Sequence, residues 1–224
     1  MKLKAIIFGS TGMIGQGILM ECMENPEVES VLLINRHSLN IQHQKVKEII
    51  HKDFENLSSL IEEFKNYNTC FYSLGVSAVG LSEAEYHSII YDLAVKIAEM
   101  LLKTGQDFTF CYISGKGTDS SEKGKSMWAR VKGKLENKLL SMPFRHAYMF
   151  RPGYIQPLKG IKSRTKWYNL VYTIFKPFYF LLKSLKNSVT NTTALAKAMI
   201  KVAANGYEKR ILESRDINKI AEGK

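Results

Sequence analysis

The run Leu3-Lys4-Ala5-Ile6-Ile7-Phe8-Gly9-Ser10-Thr11-Gly12-Met13-Ile14-Gly15 decides the fold. Its first part, Leu3–Gly9, is apolar, β-rich and only of strand length, so it reads as a buried strand and not as a secretory leader. A helical pattern over Gly12–Glu24 follows at once, and Pro26 closes it. A strand that turns through spaced glycines into a helix suits a phosphate ligand. Gly9 permits the tight turn, Gly12 lets a pyrophosphate approach the backbone, and Gly15 lets the helix pack close to the strand. The N–H groups of the turn and first helical residues, around Thr11, Met13 and Ile14, then face the phosphates with the positive end of the helix dipole. A glycine turn without a ligand has the same local sequence; the strand–turn–helix setting at the head of the chain favours a dinucleotide.

Moving outward, apolar runs continue to alternate with helical patterns. Strands are expected at Val31–Asn35, Val46–His51, Thr69–Leu74, Phe108–Ile113 and Ala147–Phe150, and helices at Leu57–Lys65, Ser82–Lys103 and Lys125–Leu140. Ser82 and Glu85 have the spacing of a capping box, and Asn56 introduces the 57–65 segment. This alternation predicts an α/β Rossmann-type fold, a doubly wound parallel sheet with helices on both faces. Near-continuous apolar strands fit burial on both sides. After Arg151-Pro152-Gly153 the alternation stops. The chain therefore divides into a cofactor half, 1–157, and a small, mostly helical cap, 158–224, packed on the same core.

The second strand ends Ile34-Asn35-Arg36. An acid at this place would bind the 2′-hydroxyl of a ribose and repel a 2′-phosphate, whereas an arginine attracts one. Arg36, aided by His37 or Ser38, therefore predicts NADP(H) over NAD(H). A plain surface arginine at a strand end is the alternative.

The 224 residues are 45% apolar and 24% charged, which excludes a disordered, collagen-like or disulfide-scaffold protein. Three cysteines without CxxC pairing argue against a zinc cluster and for a reducing, cytoplasmic compartment, and the five histidines show no metal-ligand spacing. The net charge of +11 is one-sided: residues 1–112 carry −5 and residues 113–224 carry +16, with no acid between Glu136 and Glu208. Such a field favours an anionic partner, whether a phosphorylated cofactor, an acidic metabolite, a membrane surface or nucleic acid; a basic chain kept soluble by its charge is the alternative. Trp167–Leu182 is very apolar but short, and Lys176-Pro177 interrupts it, so it is not read as a membrane span. Its aromatics, with Tyr148, suit a cap on the sheet, an apolar substrate pocket, or an interfacial helix whose Lys159, Lys162, Arg164, Lys166, Lys183 and Lys186 face lipid phosphates. No nucleic-acid module is recognisable, so nucleic acid is not an expected partner.

The GxxGxxG spacing resembles that of the extended and atypical short-chain dehydrogenase/reductases, and the resemblance runs to about residue 157. Val131-Lys132-Gly133 with Glu136, followed by Phe150-Arg151-Pro152-Gly153, narrows it. The chain looks most similar to the small atypical group that includes Tat-interacting oxidoreductase-like and sugar-nucleotide epimerase-like proteins. The resemblance implies adenine contacts at Asp53 and Phe54, close passage of the ribose at Leu74, Gly75 and Val76, and cofactor contacts at Arg151, Pro152 and Gly153. It also implies a serine ending the fifth strand and a Tyr-xxx-Lys on the next helix, where tyrosine moves the proton and lysine lowers its pKa and holds the nicotinamide ribose.

Ser114 and Lys132 stand at the serine and lysine positions, but Trp128 occupies that of the tyrosine. An indole N–H donates a hydrogen bond but is no usable acid near neutral pH. Tyr154, just past the Arg151-Pro152-Gly153 turn, is the expected substitute. The pairs Tyr112/Lys116, Tyr172/Lys176 and Tyr179/Lys183 share the four-residue spacing and read as coincidences. The leading expectation is an NADP(H)-dependent oxidoreductase acting on a carbonyl or alcohol of a small apolar or anionic substrate. The alternative is a non-catalytic NADP(H)-binding protein that acts through a protein or membrane partner. Nucleotide-sugar epimerisation or dehydration is a minor third, since 158–224 leaves little room for a sugar-nucleotide domain. Pairing of two copies through the helices at 82–103 and 125–140 is what relatives imply for oligomeric state.

Overall fold

The computed structural model describes residues 2–161 and 188–223. Nine strands follow in chain order: β1 (Leu3–Phe8), β2 (Val28–Asn35), β3 (Val46–Ile50), β4 (Thr69–Tyr72), β5 (Thr109–Ile113), β6 (His146–Arg151), β7 (Tyr154–Gln156), β8 (Val189–Asn191) and β9 (Ile211–Glu213). Seven of them form one parallel sheet in the order β3-β2-β1-β4-β5-β6-β9, and β7 pairs with β8 beside it. This is a doubly wound Rossmann sheet with a seventh strand on the β6 edge.

Alternate residues of the central strands serve opposite faces. Ala5 and Ile7 of β1 join a core with residues of α1 (Met13–Glu24), α6 (Thr192–Asn205) and α7 (Ser214–Glu222). Ile6 and Phe8 join the opposite core, with α4 (Leu93–Leu102) and α5 (Met127–Ser141). Between β3 and β4 the Asn56 side chain accepts the Ser58 N–H at 3.2 Å and opens a 3₁₀ turn, Ser58–Leu60, that runs into α2 (Ile61–Phe64). The expected helix at 82–103 starts with the predicted capping box, Ser82 and Glu85 bonding each other's backbone N–H. It runs as α3 (Glu83–His87), a π turn over Ser88–Asp92, and α4.

The described C-terminal residues are mostly helical, with short strands added that the sequence did not announce. Residues 188–223 supply β8 and β9 as well as α6 and α7, and β9 completes the main sheet against β6. Strands of three residues are too short to show a period of two, which is why the sequence pattern hides them. Lys159 also departs from its lipid-facing reading. Its ammonium lies 2.8 Å from Glu21 and 2.7 Å from Glu24, both on α1. The expectations for Trp167–Leu182, for Lys162, Arg164, Lys166, Lys183 and Lys186, and for the pairs Tyr172/Lys176 and Tyr179/Lys183 fall outside the described residues. Among the described residues no helix is long and apolar enough to cross a membrane. Cys22, Cys70 and Cys111 are free thiols buried in the core.

Candidate dinucleotide site and its catalytic edge

The strand order reverses between β1 and β4, and the crevice outside their carboxyl ends is where open α/β sheets bind ligands. A cavity of about 140 Å³ lies there, lined by Gly9, Gly12, Arg36, Phe54, Leu74 and Gly75 among others. Thr11 and Asn35 also border it. Its floor is bare backbone by necessity. Gly9 sits at φ +92°, and a Cβ on it would lie 2.8 Å from Ser73. A Cβ on Gly15 would lie 2.1 Å from the Gly9 carbonyl oxygen. Gly12 N–H bonds Gly9 O at 2.9 Å, closing the turn, and no side chain caps the head of α1 at Met13 and Ile14. First-turn N–H groups are thereby left for a ligand, so the cradle fits a diphosphate.

At the rim, Arg36 and His37 are exposed, and their side chains make no hydrogen bond or ion pair with a described residue. Ser38 behaves differently. Its hydroxyl donates to Glu48 Oε2 at 2.6 Å, so its proton is committed to that carboxylate. Glu48, on β3, also accepts Asn35 Nδ2 at 2.7 Å and the Leu39 N–H at 3.0 Å. Burial raises its pKa, but hydrogen bonds from Ser38, Asn35 and Leu39 outweigh that and hold its carboxyl below the ordinary range. Phe54 lines the cavity, whereas the carboxylate of its neighbour Asp53 accepts the Glu55 N–H at 2.9 Å and serves the local turn. Val76 is 46% exposed and is not part of the lining.

The catalytic candidates meet at the end of β5. Lys132 on α5 donates to the main-chain oxygen of Ser114. Burial lowers its ammonium pKa to about 8, with Glu136 pulling the other way. The Ser114 hydroxyl donates to Glu136 Oε1 at 2.5 Å, and Glu136 is fully buried. Arg151 closes the network. Its Nε lies 3.1 Å from both Glu136 oxygens, and its Nη2 bonds Glu136 Oε2 and, at 2.5 Å, Ser120 Oγ. The guanidinium expected at the cofactor is thus engaged by Glu136, because a buried carboxylate needs a paired cation.

Trp128 is half-buried, with its ring 3.5 Å from where a Cβ on Gly117 would sit, in the loop after β5. Gly133, one residue past Lys132, allows α5 to approach that same loop, since a Cβ there would lie 1.8 Å from Asp119 O. Tyr154 is on β7. Its hydroxyl donates to Gln156 Oε1 at 2.7 Å and its N–H bonds Ser188 O at 2.9 Å. Pro152 O accepts the Lys116 N–H, and Gly153 N–H donates to Ser214 Oγ, so this turn fastens β6 to the β5 loop and to α7. Tyr112 is buried inside β5 while Lys116 is exposed, so that pair shares no face.

Sequence reasoning missed the Ser10–Asn35–Glu48 network. Its signal was a polar pair in buried positions, Ser10 after β1 and Asn35 at the end of β2. Glu136 was noted for the resemblance alone, although a glutamate one turn past Lys132 on a buried helix face demands a cation.

A parallel seven-stranded sheet with helices on both faces, a glycine turn after its first strand and a lysine-bearing helix after its fifth define the class as a Rossmann-type α/β protein. Within that class the chain is similar to Protein FMP52, mitochondrial, of Debaryomyces hansenii, with 27% identity over 75% of this chain and 76% of that protein. It is also 27% identical to Protein HTATIP2 of Rattus norvegicus over 66% of this chain and 61% of that protein. Among solved structures, the Bordetella bronchiseptica enzyme WbmF in complex with NAD+ superposes with a TM-score of 0.68 at 15% identity, over 99% of this chain and 78% of that one. A short chain dehydrogenase from Burkholderia cenocepacia in complex with NADP gives 0.67 at 11% identity, over 99% and 92%. No family model matches the chain.

Proposed function

We propose that the protein binds NADP(H) and acts as an atypical short-chain oxidoreductase on a carbonyl or alcohol of a small anionic substrate. The observation that carries this reading is Arg36, without a side-chain partner among the described residues, at the rim of a cavity whose floor is glycine-turn backbone. The turn and the head of α1 hold the diphosphate, Arg36 takes the 2′-phosphate, and Phe54 with Leu74 borders the adenosine. The bound cofactor supplies or accepts hydride. Lys132, fixed on Ser114 O, is the cation of the site. Trp128 offers an N–H to orient a substrate oxygen and gives up no proton. An anionic substrate suits the cleft of about 820 Å³ beyond Arg151, where Lys116, Arg215 and Lys219 outnumber Glu213, and Lys209 is paired with Asp216 at 2.6 Å.

A second reading, a non-catalytic NADP(H)-binding protein acting through a partner, draws on two observations. The proton donor's place holds an indole, and the Ser114 hydroxyl is turned onto Glu136. Calorimetric titration with NADPH, NADP, NADH and NAD tests what both readings share. Wild type is expected to prefer NADPH, and Arg36→Ala to weaken it by roughly tenfold to a hundredfold, the worth of a charged hydrogen bond. Absence of binding by all four nucleotides would refute both. A carbonyl-substrate screen on the NADPH complex then separates them, since only the first reading predicts turnover.

A further inference from the structure

Resting on the NADP(H) reading above, we propose that Glu48 is a positioning residue that sets the preference for a 2′-phosphate by latching the 36–39 loop that carries Arg36. The side chains of Arg36 and His37 have no described contact of their own that would fix them, so their place depends on the backbone that bears them. That backbone is held at both ends. Asn35 O accepts the His51 N–H at 2.8 Å, which ends the pairing of β2 with β3. Beyond it, the Glu48 carboxylate gathers Asn35 Nδ2, Ser38 Oγ and the Leu39 N–H, and Ser38 Oγ in turn accepts the Asn40 N–H at 2.9 Å.

The latch also reaches the glycine turn. Ser10 Oγ donates to Asn35 Oδ1 at 2.8 Å, and Ser10 and Asn35 are both buried. One carboxylate on β3 therefore ties the diphosphate cradle to the loop of the 2′ end. Three protein donors already engage its two oxygens, so the Glu48 carboxylate is committed first to the loop. A cofactor with a 2′-phosphate needs Arg36 in place, whereas one with a 2′-hydroxyl does not. Loss of the latch should tax the first selectively, by the cost of ordering a free arginine on binding.

The test pairs two readouts on wild type, Glu48→Ala and Glu48→Gln, each first shown to be folded by a cooperative urea transition. Amide hydrogen exchange of the free protein should speed up at residues 37–40 in Glu48→Ala and stay near wild type in Glu48→Gln, whose amide oxygen still accepts. Titration should show NADPH weakened roughly three- to tenfold in Glu48→Ala, with NADH changed by less than about twofold, and Glu48→Gln keeping the wild-type preference. Unchanged exchange at 37–40 overturns the latch. Faster exchange with an unchanged NADPH-to-NADH ratio overturns its role in specificity. Wild type that binds neither nucleotide overturns the cofactor reading itself, and the specificity role with it, and is distinguishable because the exchange result stands apart.

Discussion

Lys132 spends most of its effect on charge. Burial takes its ammonium from an ordinary 10.5 down to about 8, so between those values the unfolded chain holds a proton that the folded chain has lost. A group binding more protons when unfolded makes stability rise with pH. Lys132 should thus add stability as pH climbs from about 8 to 10.5, and Lys132→Met should flatten that part of the urea-stability profile relative to wild type. Trp128 makes the complementary prediction. If carbonyl reduction is limited by proton delivery, Trp128→Tyr places a phenol on the helix face of Lys132 and raises turnover by roughly a hundredfold or more, measured as NADPH consumption. An unchanged rate would mean that proton delivery does not limit the chemistry at this position. Arg36 and Trp128 could be singled out in the sequence because each departs from the residue type expected at its place, Arg36 after the second strand and Trp128 four residues before Lys132. The hydrogen bond of Ser38 to Glu48 was not legible, because its partner comes from another strand and pairing between strands leaves no local signature.

At the scale of elements, α5 is held by one polar clamp and one missing side chain. Glu136 is buried between Ser114 and Arg151, so Glu136→Ala strands a cation in the protein. It should cost about 3–5 kcal/mol in urea unfolding, whereas an exposed pair such as Lys65–Glu62 should cost under about 1 kcal/mol. Gly133→Ala would drive a Cβ into Asp119 O, displacing the β5 loop that lies under Trp128. The six main strands and the helices around them could be read from apolar runs, turns and one capping box, since each is long enough for its period to show. The π turn at Ser88–Asp92 and the strands β7, β8 and β9 could not. The identity of those three strands rests on neighbours distant in sequence.

For the whole molecule, the boundary near residue 157 is a change of sequence character and not a seam between folding units. Leu195, Ala198, Met199 and Val202 of α6 fill the same core as Ile18 and Leu19 of α1, and β9 covers the edge of β6. A chain ending at 157 should expose that apolar face and fail to give a cooperative urea transition, whereas the full chain should unfold in one step.

The indole over Gly117 has one more consequence. The chain contains two tryptophans, Trp128 and Trp167. A Trp167→Phe variant would leave a single tryptophan, on α5 and against the loop after β5. Light absorbed there can pass to a reduced nicotinamide but not to an oxidised one. Under the proposed cofactor reading, Trp128 would then report the redox state of the bound nicotinamide, and occupancy by the reduced form could be followed by fluorescence alone, before any substrate is known.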